Sequence, residues 1–392
     1  MKKYLGLIKL PLLIIIVWRL WLFIVAFFAI HAISRFGNSF PYVNTVLEPT
    51  GFPSWVWGFG NFDGVHYLRL AQNGYADAYY QAFFPFFPLV VRFFNVFSRN
   101  VLLDTRVFVD PSFFYTGMIL ANLFIFFSLL VLRKMVEKKD YIWSVFLLLS
   151  FPTAYYFGAV YTESLFLLEL LLFILFIKKK KYLVAGVVTS IASGTRLIGV
   201  LLALVLLVEV IKDIFGKKIS LWTADFYKAA LSLLVAPSGL LAYMFYLKRQ
   251  FGNYFAFVSV QSGFGAERSS IPMISLPQVF YRYLKMFLTV KNQYQLFSIS
   301  VELVFAILGL VLIIWAYKKI AINWWLFSLL VYLLPTLTGT FSSMPRYLIF
   351  SYVVLIPIIV KLPTTFRRFA VVVMSVLQML FLALFTRGYW VA

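Results

Sequence analysis

The sequence predicts an all-α integral membrane protein. Three observations lead there. Hydrophobic residues make up 63% of the 392 and charged residues only 12%, a balance that a water-soluble fold of this length has no means of burying. The mean hydropathy is +0.92. Apolar runs long enough to cross a bilayer recur from end to end, and a chain that spans hydrocarbon repeatedly must satisfy its backbone internally, as helices do. No stretch reads as a linker or a separate soluble domain, so one integral domain over residues 1–392 is expected.

The elements follow in order. The opening MKKYLGLIKL resembles the start of a signal peptide, but its apolar stretch reaches about residue 34 and lacks a small-residue cleavage site. A retained first helix over 10–35 is expected. Residues 37–110 form an outer loop that holds short interfacial helices. Spans follow at 112–132, 141–158 and 161–177. The stretch 182–211 is too long for one straight helix and is interrupted by Ser193-Gly194-Thr195-Arg196, so two short helices should meet at that break. Another span covers 227–247, a second outer loop covers 248–295, and spans follow at 296–316, 322–340, 346–360 and 368–386. The total is about eleven crossings.

Basic clusters orient the bundle. They are Lys2-Lys3, Arg133-Lys134 with Lys138-Lys139, Lys178 to Lys181, Lys212 with Lys217-Lys218, Lys318-Lys319, and Arg367-Arg368. This layout puts every cluster on one side, which the positive-inside rule makes cytoplasmic. The half-helices of 182–211 must then return to the side they left. The N-terminus is expected inside and the C-terminus outside. Asp63, His66, Tyr161, Glu163, Arg196, Gln261 and Arg346, none of which entered the orientation argument, all fall at outer helix ends or in outer loops. Their shared destination points to an active site at the outer membrane–water boundary.

Composition excludes several chemistries. Cysteine is absent, so disulfides and thiolate nucleophiles are excluded, and two histidines do not make a histidine-rich metal site. The net charge of +21 fits cytoplasmic loops and anionic lipid rather than nucleic acid, which is not expected as a partner.

The polar segments each carry two readings. In "FDGVHYLRLAQNGY" a short interfacial helix is expected, bracketed by Gly64 and Gly74, with Asp63 near its start, where a helix dipole favours a carboxylate. Spacing alone favours a helix cap for Asp63 over a catalytic base. His66 is a hydrogen-bond partner or a proton shuttle. In "QAFFPFFPLVVRFF", Pro85 and Pro88 disfavour a spanning helix, and the run beyond them is short, so a surface-lying or re-entrant helix is expected. In "FPTAYYFGAVYTESLF", Pro152 and Gly158 weaken the end of one span and Glu163 opens the next. The neighbouring Tyr155, Tyr156 and Tyr161 belong to an interfacial belt or a sugar site. Arg196 lies at a break deep in apolar sequence, where an arginine needs a partner and loose backbone N–H groups face an anion. The outer segment 248–291 holds Lys248, Arg249, Arg268, Arg282, Lys285 and Lys291 against one acid, Glu267, and that basic surface suits a phosphate-bearing ligand. Arg346, after Pro345, is an interfacial anchor or part of the same surface. Arg19, deep in the first span, calls for an intraprotein partner such as Glu169 or Glu302.

Residues 62–88, "FDGVHYLRLAQNGYADAYYQAFFPFFP", resemble the PIG-V family, the glycosylphosphatidylinositol mannosyltransferase 2 group with its prokaryotic relatives. The family's first outer loop carries W/F-D-x-x-H-Y-x-x-I/L-A-x-x-G-Y followed by F-F-P-x-x-P. "YTESLF", "GTRLIGV", "FGNYFAFVSVQSGFG" (251–265, with Gln261) and "MPRYLIF" are similar to later family segments, in the same order. Asn253 stands where an acid is usual after Gly252, and Phe62 where tryptophan is common.

The resemblance implies a GT-C glycosyltransferase that moves mannose from a polyprenyl-phosphate donor to an acceptor hydroxyl on the non-cytoplasmic face. It implies that Asp63 is the general base, that Arg196 and Arg346 meet the donor phosphate, and that His66, Tyr67, Tyr161, Glu163 and Gln261 bind substrate. A single displacement with one base implies inversion. No metal or cofactor is expected: Asp63 and Glu163, without a further ligand cluster, make a thin basis for a divalent ion. The partners are the lipid-linked donor, the bilayer, and an acceptor that is a glycolipid, a glycan or a protein. The short loops lean towards a prokaryotic cell membrane, with the endoplasmic reticulum as the eukaryotic equivalent. The alternatives are a transporter or flippase of a lipid-linked sugar, which should show internal repeats and mid-membrane polar residues, and a non-catalytic scaffold.

Overall fold

A computed structural model describes residues 2–36, 43–96, 108–264, 268–269 and 273–391, without the side chains of 2–7 and 264. Residues 37–42 and 97–107 of the expected first outer loop lie outside the described residues, as do Gly265, Glu267 and the side chains of Lys2 and Lys3. Every regular element among the described residues is helical.

The chain opens with α1 (Lys2–Ala32). The expected outer loop then builds α2 (Ser54–Trp57), α3 (Asp63–Asn73) and α4 (Phe86–Phe94), followed by α5 (Pro111–Met135), α6 (Lys138–Ser150) and α7 (Glu163–Lys178). Next come α8 (Tyr182–Thr195), α9 (Leu201–Phe215), α10 (Ala224–Val235), α11 (Ser238–Phe251), α12 (Ala256–Ser259) and α13 (Leu276–Thr289). The series ends with α14 (Gln293–Ala316), α15 (Ile322–Thr336), α16 (Met344–Ile359) and α17 (Thr364–Thr386). Among the described residues five segments are long and apolar enough to cross a membrane: Ile8–Ala32, Pro111–Met135, Ala224–Phe251, Gln293–Ala316 and Thr364–Thr386. Tyr182–Thr195, Ile322–Thr336 and Met344–Ile359 are shorter apolar helices. This is a multi-pass helical membrane protein.

Where the sequence reads as one domain, the helices form two compact units, Met1–Leu171 with Val360–Val391, and Leu172–Ile359. No change in composition marks the division, because the chain passes from the first unit to the second inside α7, an unbroken apolar helix.

In the first unit α1 packs on α5 and α17, and α17 packs on α6. One side of α1 buries Ile15, Trp18, Leu22, Val25, Ala26 and Ala29, at helical spacing, while Leu13, Val17, Leu20, Ile24 and Phe28 stay exposed. A helix apolar all round, with one packed side, is what a lipid environment requires. The C-terminal ends of α1 and α17 meet. Arg387 Nε donates to the Ile33 carbonyl at 2.8 Å, and Phe36 N–H donates to the Arg387 carbonyl at 3.0 Å. At the other end of α17, Arg367 lies over the Trp143 ring at 4.6 Å, and Arg133 lies over Tyr141 at 5.7 Å. Two of the basic clusters therefore gather at one end of this unit.

The span expected over 141–158 ends early. α6 stops at Ser150, before Pro152, and a short helical turn, Ala154–Gly158, follows. Buried carbonyls freed by such a break need donors. Gln378 Nε2 donates to the carbonyls of Leu149 (2.7 Å) and Phe151 (3.0 Å), Trp18 Nε1 donates to Leu149 (3.3 Å), and Arg19 Nη1 donates to Gly158 (2.5 Å). This corrects the expected partners of Arg19. Its guanidinium does not pair with Glu169; it binds a backbone carbonyl and sits over the rings of Phe23 and Phe59, 4.3 Å from each.

In the second unit, α8 and α9 form the expected pair of half-helices. They break at Arg196, whose backbone is extended (φ −151°, ψ 149°), and a short turn, Leu197–Val200, leads into α9. Their far ends meet: Lys180 Nζ lies 2.7 Å from Asp213 Oδ2, and Tyr182 donates its hydroxyl to the same carboxylate. Lys180 also reaches Glu209 at 3.6 Å, and Asn323 Nδ2 donates to Glu209 at 2.9 Å, which brings the start of α15 to the same end. The segment is a closed hairpin. α8 also packs on α10 and α11, where Gly186 faces Ser232 and Gly239 faces Ser190, so small residues bring the backbones together. The span expected at 227–247 is present as Ala224–Phe251, with a turn at Ala236-Pro237 between α10 and α11.

Candidate functional site

In the first unit the structure brings two predicted carboxylates to neighbouring helix starts. Asp63 is the first residue of α3 and Glu163 the first of α7. The segments that lead into these helices are tied to each other. Val160 N–H donates to the Phe59 carbonyl at 3.1 Å, and the Tyr161 hydroxyl donates to the Asn61 carbonyl at 2.6 Å. At Gly64 α3 lies against that segment: a Cβ there would be in ordinary contact with the Tyr161 ring and the Val160 carbonyl, both at 3.4 Å.

Asp63 is not the helix cap that spacing alone favours. The capping position belongs to Phe62, which makes no side-chain capping bond and has φ 58°, ψ −122°. A phenylalanine in that region is strained, and such strain persists only where the surroundings over-determine it. Here they do: the Phe62 ring packs on Phe385 (5.5 Å) and Trp390 (4.9 Å), and Asn61 Nδ2 donates to the last carbonyls of α17, Phe385 at 2.9 Å and Thr386 at 3.3 Å. Gly64 lies inside the first turn rather than before it, while Gly74, at φ 68°, ends the helix as expected.

Those contacts also fix which end of the unit carries Asp63. Asn61 binds the C-terminal end of α17, whereas Arg367 lies in its first turn. Phe385 lies eighteen residue steps along the helix from Arg367, roughly 27 Å at the helical rise, close to the thickness of a bilayer's hydrocarbon core. The predicted carboxylates and the basic clusters thus occupy opposite ends of this unit.

His66 stands one turn beyond Asp63 on the same side of α3, stacked on Phe83 (4.9 Å) and edge-on to Tyr80 (5.2 Å). Burial lowers its pKa from the ordinary 6.5; Asp63 opposes that shift and Arg69 reinforces it. Tyr67 is packed among Phe83, Phe87 and Tyr161. Asp63 and His66 are half-buried, while Tyr67, Tyr161 and Glu163 are buried. Asp63 and His66 are therefore the groups within reach of a ligand.

In the second unit Arg196 packs against the start of α16, the helix that carries Arg346. The Arg196 guanidinium lies 5.3 Å from the ring centres of both Tyr347 and Phe350 on α16. Arg346, in the first turn of α16, is the residue before Tyr347. Both arginines are buried, 8% and 4% exposed, so each guanidinium is held in a low-dielectric setting where contact with an anion is strong. The hairpin places Arg196 at the opposite end of α8 from the Lys180–Asp213 pair, roughly 20 Å away at the helical rise. Gln261 is not brought to these arginines by any bond: its amide donates to the Phe257 carbonyl of its own turn at 3.0 Å.

Sequence reasoning missed Asn61, Gln378 and the pair formed by Tyr283 and Glu302. The signal for Gln378 was a polar residue in an apolar run, as with Arg19. Among the described residues no group of three or more His, Cys, Asp or Glu gathers in a way that would hold a metal. No family model, no curated protein and no solved structure matches the chain.

Proposed function

We propose that this chain is a polyprenyl-phosphate-mannose-dependent mannosyltransferase of the GT-C kind, related to the PIG-V family. The observation that carries the reading is the position of Asp63. It opens a short helix next to the start of α7, half-exposed, one turn from His66, at the end of its unit opposite the basic clusters. A carboxylate buttressed in this way suits a general base.

In the proposed reaction the acceptor hydroxyl oxygen bonds to the anomeric carbon of mannose as its proton passes to the Asp63 carboxylate. The bond from that carbon to the phosphate oxygen breaks, the polyprenyl phosphate leaves with the negative charge, and the configuration inverts. His66 orients the acceptor; Tyr67, Tyr161 and Glu163 support the helix that carries the base. Arg196 and Arg346 meet the charge that grows on the leaving phosphate, a role for which guanidinium forks are suited. Gln261 contributes to substrate binding through the outer loop.

In this proposal about eleven crossings form the bundle, with the shorter helices joining the five long ones. The basic ends face the cytoplasm together with the N-terminus, and the chemistry is on the extracytoplasmic side of the cell membrane, or in the endoplasmic reticulum in a eukaryote. The acceptor is a glycolipid, a glycan or a protein.

The test is purified protein in nanodiscs and in liposomes, given polyprenyl-phosphate-[14C]mannose and a panel of hydroxyl acceptors. Transfer of label to an acceptor supports the proposal. Absence of transfer, with movement of the lipid-linked sugar across liposome membranes, would replace it with a flippase.

A further inference from the structure

A second buried polar cluster lies in the second unit, before α16. Glu302, on the long apolar helix α14, accepts a hydrogen bond from the Tyr283 hydroxyl of α13. A carboxylate in such a helix is expensive unless it does something. The Tyr283 oxygen has two further contacts. It accepts from the Phe341 N–H at 2.9 Å and lies 3.2 Å from Thr340 Oγ1. The Phe341 ring packs on Tyr283 (4.7 Å) and Phe280 (4.8 Å). Arg268, whose charge acts on Glu302, donates to Ser342 Oγ at 3.2 Å.

All these contacts hold one short turn. It runs from Gly339 at φ 86° to Ser343 at φ 68°, and the second of these is a left-handed conformation that a serine adopts only under restraint. At Gly339 a side chain would collide with Ile274 and with the Arg282 guanidinium. Immediately after the turn α16 begins, and the N–H groups of Arg346 and Tyr347 both donate to the Ser343 carbonyl, at 3.0 and 3.1 Å. The strained residue is therefore the one that sets the direction of the first turn of α16.

We propose that Tyr283 and Glu302 are positioning residues: they hold the 339–343 turn and, through Ser343, aim Arg346 at a lipid-linked phosphate. The identity of that ligand rests on the mannosyltransferase reading; the mechanical part does not. Neither residue touches the reacting atoms, so the pair acts only through the placement of Arg346.

The test joins hydrogen–deuterium exchange on the full-length protein in nanodiscs to titration with polyprenyl monophosphate. Tyr283→Phe removes the acceptor of the Phe341 N–H and the donor to Glu302. Exchange over 341–347 is expected to quicken about tenfold and phosphate affinity to fall about tenfold, with protection of the 182–213 hairpin unchanged. Glu302→Gln keeps an acceptor for Tyr283 and is expected within about threefold of wild type in both readouts, while Glu302→Ala behaves like Tyr283→Phe. Unchanged exchange over 341–347 in Tyr283→Phe overturns the proposal, as does faster exchange with undiminished phosphate binding. If Tyr283→Phe also loses hairpin protection, the two Glu302 variants decide, and Glu302→Ala matching Glu302→Gln overturns the proposal. If these results hold while the wild type transfers no mannose, the mannosyltransferase reading fails and the positioning pair stands.

Discussion

The Tyr161 hydroxyl donates a 2.6 Å hydrogen bond to the carbonyl of Asn61, two residues before Asp63. This one bond ties the approach to α3 to the approach to α7, and both helices open on a carboxylate. Tyr161→Phe keeps the ring packing against Tyr67 and Tyr156 and removes only the donor. A single net hydrogen bond is worth about 1 kcal/mol, so the melting temperature should change little. Transfer activity should fall about tenfold, the factor that about 1.4 kcal/mol of lost transition-state stabilisation gives. Activity equal to wild type would show that the tie does not position the base.

Arg19 and Gln378 complete the backbone of a broken helix. Arg19→Met strands the Gly158 carbonyl, whereas Gln378→Leu removes one donor from each of two carbonyls that keep another, Leu149 from Trp18 Nε1 and Phe151 from the Ala154 N–H. Arg19→Met should destabilise the first unit by about 1–3 kcal/mol, the cost of a buried acceptor left without a donor, and Gln378→Leu by about 1 kcal/mol, the net worth of a hydrogen bond whose acceptors keep another donor. Denaturant titration in mixed micelles measures this. An apolar replacement of a buried charge is sometimes stabilising, and that result at Arg19 would mean the Gly158 carbonyl finds another donor.

His66 gives stability a pH dependence of known sign. Its folded-state pKa lies below the ordinary 6.5, chiefly through burial. The unfolded chain therefore binds the proton more readily, and the stabilisation present above 6.5 is lost as pH falls below that value. Melting temperatures measured from about pH 7.5 down to about pH 5 should decline less steeply in His66→Gln than in wild type. Parallel curves would remove His66 as the titrating group.

The Tyr182–Asp213 bond closes the α8–α9 hairpin. Tyr182→Phe and Asp213→Asn should each loosen it, and a double-mutant cycle should give a coupling of about 1 kcal/mol, within the usual range for groups in direct contact. Additive effects would mean that packing alone keeps the hairpin closed.

Much of this molecule is legible in the sequence because lipid leaves few choices: an apolar run must be helical, and a break in one must be marked. Ser193-Gly194-Thr195-Arg196 marked the hairpin correctly, and the lysines at its two ends do meet, through Asp213 and Glu209. The pairing of Arg196 with the start of α16 was legible only as two arginines at outer ends. Other features depend on which backbone groups lose their partners, and no periodicity reports that. Arg19 therefore read as a charge in need of a carboxylate, when its partner is a carbonyl freed by Pro152 and Gly158. The amphipathic α13 fell inside a stretch expected to be loop, so the Tyr283–Glu302 contact was out of sight. Phe62 read as a departure from a family pattern, whereas its positive φ makes it the residue that turns the chain into α3.

The most direct test of the central claim compares wild type with Asp63→Asn in the mannose-transfer assay, in nanodiscs, at saturating donor and acceptor. The substitution keeps the size and hydrogen-bonding reach of the side chain and removes its ability to take a proton at neutral pH. If Asp63 is the base, kcat should fall by 10²–10⁴-fold, the usual contribution of a positioned general base, with donor affinity and melting temperature close to wild type. Equal rates for the two proteins would contradict the assignment.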